Sequence, residues 1–339
     1  MRAGPFTDKN GLDRHSVSVI VPVHNRAALI VPCLRHLMDA ADGLAADGVD
    51  VEFVVVDDAS HDGSPQVVGR LAREAQQHGR PVSIRLVALT ERHGPGRARN
   101  AALQAATGEL VILIDSDVIV TPQVLKAHWE MHRQAQASGE RVYGVGTLVS
   151  VPSLEAALRF PAPTVWDSSR ASLDTANSSV PRDVLDELGG FDSGFTVYGW
   201  EDLDLGRRLK KSGLTRVAVE AAVAYHIQPP IETPEQLRGR LEKERERGIT
   251  AVHFMKKHPE LSARLTAQDT ALHRFLTWVF RFGGMVGPDN VLAWVAWARR
   301  RRYVGLEKMW LAGVFNKAYL DSLAATKRTA LDGAGQASR

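Results

Sequence analysis

The chain has 339 residues, 44% of them hydrophobic and 24% charged, with 42 Lys and Arg against 39 Asp and Glu for a net charge of +3. That is globular material for about two structural units, and so small a charge, spread along the chain, argues against nucleic acid as a partner. One cysteine, Cys33, excludes an intramolecular disulfide, and the lack of a signal peptide or any run of about 18 apolar residues points to a soluble cytoplasmic chain.

Residues 1–15 are polar and expected to be a flexible N-terminus. "VSVIVPVHN" (17–25) is a continuous β-branched run, the pattern of a strand covered on both faces, and a helix follows to about Ala40. Pro32 suits that helix only if the helix starts late. "VEFVVVDDAS" (51–60) is a second buried strand. Ser64 as N-cap and Pro65 then open a helix that ends near His78 and Gly79. "VSIRLVALT" (82–90) is a third strand, "GPGRARNAALQAATG" (94–108) a helix and "ELVILIDSD" (109–117) a fourth strand. A helix capped at Thr121-Pro122 leads to "RVYGVGTLVS" (141–150), again a strand. This alternation predicts an α/β fold, a mainly parallel sheet covered by helices on both faces, with a helical C-terminal extension.

Ligands of open α/β sheets bind beyond the carboxyl ends of the strands. His24-Asn25, Asp57-Asp58, Arg92-His93-Gly94 and Asp115-Ser116-Asp117 fall at such ends, so four polar clusters are expected to share one rim. Taken singly, each reads as a turn. In "VILIDSDVIV" (111–120), however, two carboxylates interrupt a buried run. An Asp-x-Asp offers two hard oxygen donors and leaves coordination positions for water and phosphate, as Mg²⁺ and Mn²⁺ sites on nucleotides do. A turn or helix-capping pair is the alternative.

From about Val17 to Gln228 the chain resembles the family-2 glycosyltransferases and their GT-A fold, a Rossmann-like nucleotide-sugar-binding fold. Four blocks in family order carry the resemblance: "VSVIVPVHNRAALIVPCLRHL", "VVVDDASHDGS", "HGPGRARNAALQAATGELVILIDSDV" and "VPRDVLDELGGFDSGFTVYGWEDLDLGRRLKKSG". The resemblance implies a catalytic domain over 16–230, with 16–120 on the nucleotide and 150–230 on the acceptor side. It implies metal-dependent transfer of a sugar from a nucleoside diphosphate sugar, a UDP-sugar by preference, to an acceptor hydroxyl.

By position in that family, Pro22, His24 and Asp58 would line the nucleoside pocket, with Asn25 and Ser116 beside the donor. The family more often has tyrosine where His24 stands. Gly94 and Arg99 would lie near the base or diphosphate, a solvated surface arginine being the other reading of Arg99. Asp115 would face ribose and metal, and Asp117 would bind Mn²⁺ or Mg²⁺ directly. His226 would be a third ligand, with a structural histidine as the alternative.

"GWEDLDLGRRL" (199–209) reads as a helix start, where ionised carboxylates are favoured. The resemblance makes Asp202 the catalytic base that takes the acceptor's proton, and makes Glu201 a residue that orients acceptor or donor sugar. Asp204 reads as an ordinary capping acid, and Trp200 as a sugar platform or a core tryptophan. A single displacement with an Asp base implies inversion. The irregular stretch after Val151 offers Trp166 and Asp167 to an acceptor, and Asn177 resembles an asparagine that recurs in the family near the donor sugar.

From about Ile231 to 326 the chain is expected to be helical, opening at Thr233-Pro234-Glu235, with 327–339 a flexible tail. "HRFLTWVFRF" and "VLAWVAWARRRRYVGLEKMW" mix tryptophan with arginine. They read as amphipathic helices packing on the catalytic domain, or as a peripheral contact with an anionic membrane or a partner. An oligomer stays open. Other functions also stay open. A nucleotidyltransferase should show a Gly- and Lys/Arg-rich loop after the first strand, where "PVHNRAA" has no glycine. A dinucleotide-dependent oxidoreductase should complete G-x-G-x-x-G, and "GPGRAR" does not. The last alternative is a catalytically silent nucleotide-sugar-binding or scaffold protein.

Overall fold

The β-branched runs of the N-terminal two thirds form one sheet. The computed structural model describes residues 15–167, 169 and 171–337, so the expected flexible N-terminus lies, apart from His15, outside the described residues. The first elements are β1 His15–Val23, α1 Ala27–Ala45, β2 Val49–Asp58, α2 Ser64–Gln77, β3 Val82–Leu89, α3 Pro95–Ala105, β4 Leu110–Ile114 and β5 Val118–Val120. Then come α4 Val124–Ala137, β6 Val142–Val151, α5 Leu154–Ala157, β7 Asn177–Pro181, α6 Arg182–Glu187, α7 Glu201–Lys211 and β8 Thr215–Ile227. The chain continues with α8 Pro234–Lys257, α9 Leu261–Thr266, α10 Ala271–Phe280, α11 Val291–Arg300 and α12 Val304–Ala337.

The sheet order is β3-β2-β1-β4-β7-β6-β8-β5. β3, β2, β1 and β4 run parallel, as do β6 and β8, while β4–β7, β7–β6 and β8–β5 are antiparallel. The α/β fold is therefore built on a mixed sheet. Period-2 alternation explains its double cover. Val17, Val19, Val21, Phe53 and Val55 pack with Ile30, Leu34 and Leu37 of α1. Ile20, Val54 and Val56 belong to a second core with Ala98 and Ala102 of α3.

Four local expectations of the sheet unit change. Helix α4, expected to be capped at Thr121-Pro122, starts at Val124 with Gln123 in the capping position. "VILIDSDVIV" is two strands: Asp115-Ser116-Asp117 ends β4 at Ile114, and β5 resumes at Val118 and pairs antiparallel with β8. Helix α1 starts early, at Ala27, and keeps Pro32 inside. The buried face from Ile30 to Leu44 offsets the ~3 kcal/mol that an interior proline costs. Ser64 is the first helical residue of α2, not its cap; Gly63 takes that place at φ 82, and Asp62 Oδ1 accepts both the Ser64 N–H and Oγ–H.

Residue contacts divide the chain into two units. The first takes residues up to Ser193 with Glu201–Pro229; the second takes Gly194–Trp200 with everything from Pro230. The second unit has its own core, where Leu237 and Leu241 of α8 meet Val291 and Val295 of α11 and Trp310 and Val314 of α12. Helix α8 opens on a capping box between Thr233 and Gln236. Helix α12 passes the expected boundary at 326 and runs to Ala337, through an alanine-rich stretch that favours helix. Among the described residues no helix is long and apolar enough to cross a membrane.

Candidate active site

At the carboxyl ends of β1 and β2 the side chains mainly hold loops. Asp58 accepts the N–H groups of His93 (2.7 Å) and Gly94 (2.9 Å), which ties β2 to the loop opening α3. Gly94 sits at φ 83, a conformation that favours glycine. His24 donates through Nδ1 to the Asp58 carbonyl (2.7 Å), so its Nε2 is left to accept from Asn25 Nδ2 at 3.2 Å. Asn25 in turn accepts the His61 N–H at 2.8 Å. Pro22, beside them on β1, is half-buried.

Arg99 joins the Asp-x-Asp segment to the start of α7. It projects from α3 into the protein, only 3% exposed, which overturns the solvated-arginine reading. Its Nη2 donates to Asp115 Oδ1 at 2.7 Å, its Nη1 lies 3.6 Å from Glu201 Oε1, and its guanidinium covers the Phe191 ring. Burial works against the charge, but the two carboxylates outweigh it and raise the pKa.

Asp117 lies between an imidazole and a second arginine. Its Oδ1 is 3.4 Å from His226 Nε2 and its Oδ2 is 3.6 Å from Arg26 Nε. The β5–β8 ladder sets this meeting, because Val118 pairs with His226 and the Ile227 N–H reaches the Asp117 carbonyl. Burial pulls the His226 pKa down, but Asp117, then Asp115 and Asp174, hold it above its ordinary value. Asp115, Asp117 and His226 do not form a ready three-ligand set: among the described residues no group of three or more His, Cys, Asp or Glu is gathered to hold an ion. Asp115 is engaged by Arg99, which leaves Asp117 and His226 as the facing pair.

Asp202 is the second residue of α7 and is partly exposed. Burial, then the Glu201 carboxylate and Asp174, push its pKa up to about 7, against the Leu203 N–H and Arg99. A carboxyl balanced near neutrality suits proton abstraction. A cavity of about 330 Å³ opens nearby on Leu148, Ser150, Asp174, His226 and Gln228, with Trp166 and Asp167 at its wall. Trp166 is 81% exposed, whereas Asp167 caps its own loop by accepting from Thr164 N and Oγ1.

Other candidates are spent inside. Asn177 is buried in the sheet, donates to the Thr147 and Ala222 carbonyls and faces His128 Nε2 at 3.0 Å, so its amide ties β6 to β8 instead of being offered to a sugar. Trp200 takes the core reading: it is 4% exposed, its indole donates to the Arg247 carbonyl, and its ring packs on Phe254 and Tyr319. Ser116 is buried in the turn after β4. Asp204 pairs with Arg208 at 2.8 Å, a structural role. Two residues escaped the sequence reading. Arg26 follows the polar end of β1, and Asp174 sits in the "SLDTAN" turn that enters β7; their positions were legible, their neighbours were not.

Residues 18–159 match the model of Glycosyl transferase family 2. This segment belongs to that family. Succinoglycan biosynthesis protein ExoO of Rhizobium meliloti (strain 1021) is 36% identical over 126 residues, 37% of this chain and 31% of the relative. Validoxylamine A glucosyltransferase of Streptomyces hygroscopicus subsp. jinggangensis (strain 5008) is 26% identical over 287 residues, 74% of this chain and 62% of the relative. The chain thus spans less than two thirds of these relatives. Among solved structures, the mannosyltransferase PcManGT of Pyrobaculum calidifontis, in complex with GDP-Man and Mn²⁺, superposes with a TM-score of 0.57 at 22% identity, over 92% of this chain and 86% of that one. The family-2 segment and this likeness identify the fold as GT-A.

Proposed function

We propose that the chain transfers a glycosyl group from a nucleoside diphosphate sugar to an acceptor hydroxyl, with inversion at the anomeric carbon and Asp202 as the base. The observation that carries this reading is a carboxyl held near a pKa of about 7 beside Glu201, which Arg99 joins to the Asp-x-Asp segment. Asp202 takes the hydroxyl proton while the acceptor oxygen attacks the anomeric carbon, and the bond to the diphosphate breaks with its electron pair leaving on phosphate oxygen. Glu201, fixed by Arg99, orients the sugars from the same helix turn.

A carboxylate oxygen and an imidazole nitrogen 3.4 Å apart, both partly exposed, fit Mn²⁺ or Mg²⁺ as two of its ligands. Asp117 and His226 would hold the ion, which when bound supplies charge neutralisation at the leaving diphosphate. Arg26 adds a guanidinium at the same carboxylate. His24, Asp58 and Gly94 would bound the nucleoside, a uridine by family resemblance. Because both Asp58 carboxylate oxygens already accept backbone N–H groups, contact with a base would use their second lone pairs. Trp166 and Asp174 would meet the acceptor. A cytoplasmic setting suits the buried thiol of Cys33.

A panel of nucleoside diphosphate sugars, each tested for thermal stabilisation with and without Mn²⁺, tests the proposal. One donor should raise Tm with Mn²⁺ and lose most of that shift in Asp117→Ala. No shift with any donor would overturn it.

A further inference from the structure

Helix α10 turns its apolar side chains to solvent. Leu272, Phe275, Leu276, Trp278 and Val279 are exposed, and Thr277 is the helix's one buried residue. The surface continues beyond the helix. Phe275 stacks on Trp278 with centroids 6.1 Å apart, and Trp278 lies so close to Gly283 that a β-carbon there would stand 3.3 Å from the ring. Phe282 then meets Trp294 (6.4 Å), Trp294 meets Trp297 (6.5 Å), and Trp297 meets Tyr303 (5.7 Å). Phe275, Trp278, Phe282, Trp297 and Tyr303 are each between 41% and 58% exposed. An aromatic strip of this length in water marks an interaction surface.

Its charge is one-sided. Residues 271–303 carry six arginines against a single acid, Asp289; Asp269 pairs with Arg274, and Glu232 and Glu307 pair with Arg299, so Arg281, Arg300, Arg301 and Arg302 carry the excess. Arg300, Arg301 and Arg302 are exposed where α11 ends, between Trp297 and Tyr303 in the chain. We propose that this strip docks the protein on an anionic lipid bilayer, with the rings in the interfacial layer and the three arginines on headgroup phosphates. Two observations favour lipid over a second copy of the chain. A two-fold interface built on the strip would bring two arginine clusters into one patch, and like charges repel. Tryptophan and tyrosine beside arginine also suit a boundary that is apolar on one side and anionic on the other. Since no described helix can span the bilayer, the strip lies on its surface. The inference is independent of the reaction proposed above.

Co-sedimentation of the full chain with vesicles at low salt tests it. The protein should pellet with phosphatidylglycerol/phosphatidylcholine vesicles and stay in solution with phosphatidylcholine alone. Each arginine near an anionic surface contributes roughly fivefold to partitioning, so R300E/R301E/R302E should lower binding by at least about a hundredfold. F275S/W278S should lower it by about tenfold. All five side chains are exposed, so both variants should melt as wild type does. Absent or equal sedimentation with the two vesicle types would overturn the proposal, as would wild-type binding by either variant. A dimer seen by light scattering, dispersed by F275S/W278S and indifferent to vesicles, would assign the strip to a second copy instead.

Discussion

Glu52 is a buried carboxylate and Asp202 a partly buried one, and the protein treats them in opposite ways. Glu52, near the start of β2, accepts from Ser18 Oγ at 2.6 Å and from the Thr107 N–H and Oγ1. Ser18 also accepts the Gly108 N–H, so one acid ties β1, β2 and the turn into β4. Burial opposes its charge, yet these donors hold the Glu52 pKa below its ordinary value. Asp202 has the Leu203 N–H as a local donor and two acids for neighbours, and its pKa rises to about 7. At the amino ends of the strands the fold satisfies its acid; at the other end it leaves one poorly satisfied, as the proposed base requires.

The largest test of this contrast is Asp202→Asn, expected to cut transfer by at least ~100-fold while donor binding by calorimetry stays unchanged. Wild-type turnover in that variant would remove the base. Next, Arg99→Met strips the buried cation from Asp115 and Glu201 and should cost about 3–5 kcal/mol in urea unfolding. It should also move the midpoint of the pH–activity profile above 7, since Arg99 now lowers the Asp202 pKa. A smaller loss, about 2 kcal/mol, is expected for Glu52→Ala, with kcat of the folded enzyme unaltered.

The finest test reads the sign of pH dependence. Asp202 keeps its proton to about pH 7 when folded but only to its ordinary 3.8 when unfolded. Its contribution is therefore full below 3.8 and is lost as pH rises through 7. Glu52, with a lowered pKa, contributes above its ordinary 4.5 and loses that as pH falls. Between pH 5 and 8, Asp202→Asn should flatten the decline in Tm expected for wild type, and Glu52→Gln should leave that decline in place.

Much of this could be read from the chain itself. The runs at 17–25, 51–60 and 82–90 have few alternatives to buried parallel strands, and the polar ends of those strands follow from the topology. The antiparallel pairing of β4 with β7 and of β5 with β8 could not be read, because a strand's partner is chosen by distant residues. Burial of polar side chains was equally hidden. Arg99 and Asn177 are as polar in sequence as any surface residue, and it takes Asp115, Glu201 and Phe191 for the one, and His128 and the Thr147 and Ala222 carbonyls for the other, to explain why they lie inside. Trp200 was ambiguous because nothing local distinguishes a ring facing sugar from one facing Phe254.

The short ladder between β5 and β8 has three rungs, and one of them, Val118 opposite His226, brings an imidazole to Asp117. Upstream in β8 the pairing with β6 jumps from Val219 to Val223, so Glu220–Ala222 form a spacer that sets the frame for the last residues of the strand. Adding or deleting a single residue between Val223 and His226 would turn the imidazole to the opposite side of the sheet. The length of this stretch is thus as constrained as the identity of the residue it delivers.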